Sequence, residues 1–146
     1  MSDSIGIIKG IAWRHTDSEP MQEVSECRIL LHRGLSSENR KPGNREVTLL
    51  SAGAWSDVCR ELGADIPWHT RRANLLIEGM DLPATIGNKL RIGEVTLIIH
   101  GETKPCALMD QQHTGLRDAL KPNARGGVYG QVLSAGTIRL GDKVTV

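Results

Sequence analysis

Short apolar runs interrupted by glycine or proline are the feature that most limits what this chain can fold into. The segments NLLIEG, KLRIG and EVTLIIHG follow one another between residues 74 and 101, and each is shorter than a typical helix. Sixteen glycines in 146 residues supply many tight turns. This spacing predicts a meander of short strands and a fold in which β-structure dominates.

Periodicity predicts further strands in the first third of the chain. Strands are expected at residues 5–13, 24–34 and 45–51. In the second of these, alternation places Cys27 and Leu31 on the inward face. The residues between the last two strands, LSSENRKPGN, form a polar loop with a Pro-Gly turn.

Two segments have the pattern of a helix. Ser51 can cap the segment AGAWSDVCRELG, in which one apolar stripe precedes a natural stop at Gly63. That stripe consists of Trp55, Val58, Cys59 and Leu62. Residues 107–120 are a second candidate, weakened by Gly115.

The pattern of residues 127–146 predicts two or three strands, with turns at 134–136 and 141–142. We therefore expect a single domain over residues 1–146, a β-barrel or highly curved sheet with one or two accessory helices.

The charge balance excludes several classes of partner. The net charge is +1, from 18 basic and 17 acidic residues, so no global field favours nucleic acid or an anionic membrane. No apolar run approaches the roughly 20 residues that span a bilayer. The first residues do not resemble a signal peptide, which favours a cytoplasmic protein. The three cysteines lie far apart, without zinc-type spacing, and are expected to be reduced.

Cys106 is the cysteine whose surroundings raise a question of function. It follows Pro105 in GETKPCALMD, between a predicted strand and a predicted helix. A thiol at a helix N-terminus feels the positive end of the helix dipole, which favours the thiolate, and Lys104 can add to this effect. A free cysteine is also a common small core residue. Local sequence leaves both interpretations open for Cys106, whereas Cys27 and Cys59 fall on apolar faces and are expected in the core.

Two further segments have the chemistry of an anion site. In TRRANLLIEG, Arg71 and Arg72 offer bidentate donors for phosphate or carboxylate, and Asn74 can bind a ring edge or brace the loop. In NARGGVYGQV, Gly126 and Gly127 allow a close backbone approach beside the charge of Arg125. A solvated basic loop and a tight β-turn are the corresponding structural interpretations.

Two histidines, His69 and His100, lie close in the sequence to the candidate site residues. His100 lies at a strand end before Cys106, where it is either a proton shuttle or a satisfied, half-buried residue. His69 precedes the arginine pair and is expected to be a loop residue. The five histidines show no metal-binding pair.

The ordered set RRANLLIEG, KLRIGEVTLIIHGETKPC and RGGVYGQVLSAGTIRLGD resembles the MOSC domain, the C-terminal domain of molybdenum cofactor sulfurases, which also occurs in small standalone bacterial proteins. The resemblance covers residues 45–146 well and the earlier part weakly. It implies a mainly β, mixed-barrel fold of the MOSC or PK β-barrel-like kind. It also implies molybdenum cofactor, molybdopterin, as the bound group.

The same resemblance implies roles for individual residues. Cys106 matches the family cysteine, which ligates molybdenum or carries sulfur, as a soft thiolate can. The residues that match the motifs holding the pterin and its phosphate are Arg71, Arg72, Asn74, Arg125, Gly126 and Gly127. Many relatives have a Gly-Asp pair in the early loop, where this chain has SSEN, so Glu38 is a candidate substitute. No domain with a Schiff-base lysine is visible, which makes pyridoxal phosphate unexpected in this chain.

Three functions compete on this basis. The first is an oxidoreductase module that uses Cys106 as a molybdenum ligand, with N-hydroxylated compounds as a substrate class. The second is a carrier of cofactor, or of sulfur as a Cys106 persulfide. The third is a barrel that has lost cofactor binding and acts only in interactions. The first two require a partner, an electron-transfer or a sulfur-donor protein, and the sequence leaves the oligomeric state open.

Overall fold

The structure is a computed structural model that describes residues 5–16, 18–38, 42–105 and 108–146. Its strands are β1 (Ile5–Trp13), β2 (Gln22–Val24), β3 (Glu26–Leu30), β4 (Gly34–Leu35), β5 (Val47–Ser51), β6 (Leu75–Glu78), β7 (Lys89–Ile92), β8 (Val95–Glu102), β9 (Val128–Ser134), β10 (Gly136–Arg139) and β11 (Lys143–Thr145). Its helices are α1 (Ala52–Leu62), α2 (Leu108–Gln112) and α3 (Leu116–Leu120), with 3₁₀ turns at Trp68–Arg71, Pro83–Thr85 and Pro122–Ala124.

Seven of the described strands close into a barrel. Their order is β11-β7-β8-β9-β5-β6-β1, and β1 pairs again with β11 to complete the ring. The β5–β6 pair is parallel, whereas the other neighbours in the ring are antiparallel. The prediction of a mainly β, mixed barrel with accessory helices is therefore confirmed. A smaller sheet of β10, β3 and β4 lies beside it.

Two predicted elements differ from the observed ones. The strand predicted at 24–34 is divided among β2, β3 and β4, and Leu31 lies in a turn with its side chain 48% exposed. His32, with φ of 63°, reverses the chain there. Of the predicted meander over residues 74–101, only the antiparallel pair β7–β8 is observed. β6 instead pairs with β1 and β5, because α1 carries the chain across the barrel between β5 and β6.

Helix α1 begins and ends where its capping residues predict. The Ser51 side chain accepts a hydrogen bond from the backbone N–H of Ala54 at 3.2 Å, and Gly63 ends the helix in the left-handed region, with φ of 63°. Trp55 and Val58 are buried against β5 and β6. The helix predicted at 107–120 is observed as two short helices separated near Gly115, which has φ of 86°. Residue 107 lies outside the described residues.

Two apolar clusters hold the fold together. The larger fills the barrel with Ile, Leu and Val side chains from its strands, as a chain without phenylalanine requires. The smaller lies outside the barrel, where α1, α2 and α3 pack on Leu50 and Ala73. Among the described residues the longest helix has 11 residues, too short to cross a bilayer.

Candidate anion-binding site

A pocket of about 450 Å³ lies beside the barrel strands β1, β5, β6 and β8. Most of its lining residues directly follow β1 or β8, precede β6, or lie before and within β5. The described residues that line it are Arg14, Arg45, Thr48, Leu49, Arg71, Arg72, Ala73, Thr103 and Met109. We call it the arginine pocket, because four of these nine residues are arginines. Such a set favours a ligand with negative charge and several acceptor oxygens.

Arg71 and Arg72 both line the pocket, but they are held differently. Arg71 is half-buried, and its Nη2 donates to the carbonyl oxygen of Thr103 at 2.8 Å. Its Nη1 lies 3.9 Å from the sulfur of Met109. Arg72 is exposed, and its φ of 63° is a left-handed conformation that side chains other than glycine seldom adopt. Arg71 therefore ties two walls of the pocket together, and Arg72 presents its charge at the rim.

Arg14 and Arg45 were not identified from the sequence. Arg14 directly follows β1, and its backbone N–H donates to a carboxylate oxygen of Glu38 at 3.0 Å. Glu38 is only 4% exposed, so the early loop is packed behind Arg14. Arg45 precedes β5, with its Cζ 5.5 Å from the ring centroid of Tyr129. A single arginine beside a strand end was the only available signal, and the two strand ends become neighbours because β6 pairs with both β1 and β5.

Asn74 braces the site rather than lining it. Its side-chain oxygen accepts hydrogen bonds from the N–H of Thr48 at 3.0 Å and from its hydroxyl at 3.1 Å. Its side-chain nitrogen donates to the carbonyl oxygen of Ala12 at 3.2 Å. Asn74 is fully buried and joins β1, β5 and β6 near the pocket. Of the two interpretations of its amide, the brace is the one these contacts favour, and a direct cofactor contact stays a prediction.

Gly126 and Gly127 lie against the wall formed by Thr103. The N–H of Thr103 donates to the carbonyl oxygen of Gly127 at 2.9 Å, and its hydroxyl donates to that of Gly126. A Cβ on Gly126 would lie 2.4 Å from the Thr103 carbonyl oxygen and 3.1 Å from Nη2 of Arg71. The glycine element therefore brings the backbone into direct contact with the arginine element, and a side chain there would separate them.

Arg125 lies apart from the other predicted arginines. Its Nη1 is 2.7 Å from the carboxylate of Glu61 and donates to the carbonyl oxygen of Ala119 at 3.1 Å. These contacts link the loop before β9 to α1 and α3. Arg125 is absent from the described lining of the arginine pocket, and its predicted cofactor contact stays a prediction.

Cys106 lies outside the described residues. Thr103, three residues before it in the sequence, and Met109, three residues after it, both line the arginine pocket. Within the described part of the chain, no group of three or more His, Cys, Asp or Glu side chains is placed to hold a metal ion. The role of Cys106 as a molybdenum ligand therefore stays a prediction.

The other two cysteines have apolar surroundings. Cys27 is buried in the barrel cluster, as predicted, and its Sγ donates to the carbonyl oxygen of Arg28 at 3.3 Å. Burial raises the pKa of the Cys27 thiol above its usual value. Cys59 is only partly buried and packs against the helix cluster. Both environments favour structural thiols.

The two histidines lie outside the described pocket lining. Nε2 of His100 is 3.2 Å from the side-chain oxygen of Gln131 on β9, and the residue is exposed. His69 is in the 3₁₀ turn before the arginine pair, with Nε2 3.9 Å from the carboxylate of Glu23. Neither position favours a proton shuttle at the arginine pocket.

The pocket residues fit a cofactor that carries a phosphate. Several guanidinium groups reach one cavity, and the missing Cβ of Gly126 lets backbone, Thr103 and Arg71 close together around one wall. Phosphate oxygens accept hydrogen bonds from guanidinium groups in pairs. The described residues thus suit the anionic part of molybdopterin, while the proposed metal ligand lies at residue 106.

Comparisons with known proteins agree on the fold. The family model of the MOSC domain matches residues 31–145. Among solved structures, the chain is similar to the YuaD protein from Bacillus subtilis, with 16% identity, a TM-score of 0.79, and 99% of this chain and 96% of that chain covered. It is also similar to YiiM from Escherichia coli, with 13% identity, a TM-score of 0.69, and coverage of 100% and 70%. A third similar structure is YiiM from Geobacillus stearothermophilus, with 14% identity and a TM-score of 0.70. The match covers 97% of this chain and 73% of that chain. No curated protein matched this chain.

Proposed function

Because the chain belongs to the MOSC domain family, we propose that it binds molybdenum cofactor in the arginine pocket. The observation that carries this proposal is the convergence of Arg14, Arg45, Arg71 and Arg72 on one cavity. A net charge of only +1 for the whole chain means that this concentration of positive charge is local. A local cluster of guanidinium groups suits a specific anionic ligand better than a diffuse polyanion.

The pocket residues have different proposed roles in binding the cofactor. Arg72 and Arg45 are exposed at the pocket and supply donors and charge for the phosphate. Arg71 is bonded to Thr103, three residues before Cys106 in the sequence, and holds that wall of the pocket. The cofactor, when bound, supplies redox chemistry at molybdenum. The Cys106 thiolate is proposed as the ligand that the chain contributes, which makes the protein an oxidoreductase module acting on N-hydroxylated compounds.

Cofactor loading tests the pocket. Protein purified from a host that makes the cofactor is assayed for molybdenum by elemental analysis and for pterin by fluorescence. We expect Arg72→Gln to lower both, because it removes a charged donor from the rim. Arg91→Gln is the matched control, since Arg91 is an exposed arginine on β7 outside the pocket lining. Equal loading of the two variants would contradict the proposed binding site.

A second variant tests the thiolate. We expect Cys106→Ala to retain pterin, which the arginines hold, and to bind less molybdenum than the wild type. Equal molybdenum content in the wild type and in Cys106→Ala would contradict the ligand role.

Turnover decides the class of function. Reduction of a hydroxylamine with an added electron-transfer protein supports the oxidoreductase. A persulfide on Cys106 without turnover indicates a sulfur carrier that needs a donor protein. Absence of molybdenum, pterin and persulfide would indicate a barrel that acts only in interactions.

A further inference from the structure

Arg45 is the pocket arginine whose surroundings raise a separate question, namely what directs its side chain. Arg45 is exposed and lies just before β5, and its side chain lines the pocket. An exposed arginine loses much side-chain entropy when it is fixed in one orientation. A contact that orients Arg45 before the ligand arrives would therefore improve binding without touching the ligand.

The backbone beside Arg45 is fixed by Glu46. The N–H of Glu46 donates to the carbonyl oxygen of Gly130 at 2.9 Å, and its carboxylate accepts from the N–H of Val132 at 2.9 Å. The same carboxylate accepts from the N–H of Gly43 at 3.1 Å. Glu46 is fully buried. The start of β5 is thereby attached to β9, and the orientation of the Arg45 side chain is set separately.

Tyr129, on the same strand β9, provides the surface for that side chain. The Cζ of Arg45 lies 5.5 Å from the ring centroid, within the range of a cation–π contact. The ring packs on Gly101, where a Cβ would lie 2.9 Å from the phenol oxygen and 3.1 Å from ring carbons. Tyr129 is the only tyrosine in a chain without phenylalanine. Strand β9 thus fixes Arg45 at both its backbone and its guanidinium group.

We propose that Tyr129 is a positioning residue that holds Arg45 toward the arginine pocket and so raises the affinity of the pocket for a phosphate group. Tyr129 is not among the described lining residues, so it acts through Arg45 and not by contact with the ligand. The inference rests on the proposed function, because it assumes that the arginine pocket binds an anion. Tyr129 lies in the MOSC-like segment RGGVYGQVLSAGTIRLGD, but the resemblance gives it no role of its own.

Inorganic phosphate, titrated calorimetrically at low ionic strength, tests the inference in four proteins: wild type, Tyr129→Leu, Tyr129→Phe and Arg45→Met. We expect Tyr129→Leu to weaken binding about three- to fivefold, the range of an exposed cation–π contact. Tyr129→Phe keeps the ring and should bind like the wild type. In the double variant, Tyr129→Leu should not weaken phosphate binding beyond the effect of Arg45→Met alone, since the ring acts only through that arginine.

A local spectroscopic readout separates positioning from general damage to the fold. The Nε–H proton of Arg45 should show a ring-current shift in the wild type and in Tyr129→Phe, and lose it in Tyr129→Leu. Wild-type affinity in Tyr129→Leu, together with weakened binding in Arg45→Met, would overturn the positioning role and leave the proposed function standing. Unchanged binding in Arg45→Met would instead count against the arginine pocket as the phosphate site, and the positioning role would fall with it.

Discussion

Gly126 is a residue at which the wall of the pocket leaves no room for a side chain. Its Cβ position lies 2.4 Å from the carbonyl oxygen of Thr103, so Gly126→Ala must push β9 away from the wall that Arg71 holds. We expect a loss of about 1–3 kcal/mol in the free energy of unfolding, measured in urea, and weaker phosphate binding.

Gly53→Ala is the control for this substitution. Gly53 is an exposed residue of α1, and the nearest atom to its Cβ position, the Ser51 hydroxyl, is 3.8 Å away. This variant should be more stable than the wild type by about 0.4–1 kcal/mol, because alanine restricts the unfolded chain. Equal stability of the two glycine variants would show that the close approach at Gly126 does not matter.

Cys27 is a second residue whose behaviour follows from its burial, because burial lowers the reactivity of a thiol. Its pKa lies above the usual value of 9.0, mainly because burial disfavours the thiolate. We expect Cys27 to resist an alkylating reagent at pH 8 in the native protein and to react once the protein is unfolded in urea. Mass spectrometry of the digested protein assigns the modified residue. Rapid native labelling of Cys27 would contradict the buried position.

The same pKa sets a pH dependence of stability. Because the folded state binds the thiol proton more tightly than the unfolded state, the contribution to stability is complete below pH 9.0 and is lost as the pH rises through the higher folded value. Between pH 8 and pH 10, the free energy of unfolding should therefore fall more steeply in the wild type than in Cys27→Ala. Parallel pH profiles for the two proteins would contradict this expectation.

At the scale of elements, Asn74 shows how one side chain can fix three strands. It makes hydrogen bonds to Ala12 beside the end of β1 and to Thr48 in β5, just before β6 begins. Asn74→Ala leaves several of these buried groups without partners, so we expect a loss of at least about 2 kcal/mol in unfolding free energy. Asn88→Ala, at an exposed turn, should change it little. Similar stabilities for both variants would contradict the bracing role.

Sequence patterns predicted elements well where the physics is local. Strand β1 agrees with its prediction at both ends, and α1 begins at the Ser51 cap and ends at Gly63. The sequence patterns failed where tertiary packing or an unusual backbone conformation decides the structure. The long apolar alternation at 24–34 gave no sign of the turn at His32, a left-handed residue that is not glycine. The parallel position of β6 beside β5 depends on the crossover of α1, which no local pattern encodes.

At the scale of the whole molecule, the barrel converts distant residues into one pocket. The RRxN motif identified Arg71 and Arg72, because adjacent arginines before a strand are visible in the sequence. Arg14 and Arg45 flank β1 and β5, which are distant in the sequence and become neighbours because β6 pairs with both. Family motifs also group Arg125 with the glycines, whereas its side chain turns to Glu61 on α1. The order of motifs along the chain predicted Arg71 and Arg72, and strand pairing adds Arg14 and Arg45 to the same pocket.

The arginine pocket is proposed to bind the phosphate of molybdenum cofactor. The most direct test of this proposal is X-ray diffraction from crystals of protein purified with the cofactor, with molybdenum located by its anomalous scattering. We predict that the phosphate lies within hydrogen-bonding distance of at least two guanidinium groups from Arg14, Arg45, Arg71 and Arg72. A cofactor bound elsewhere, such as in the separate pocket lined by Glu94 and Arg139, would contradict this proposal, as would protein that carries no cofactor from a host able to make it.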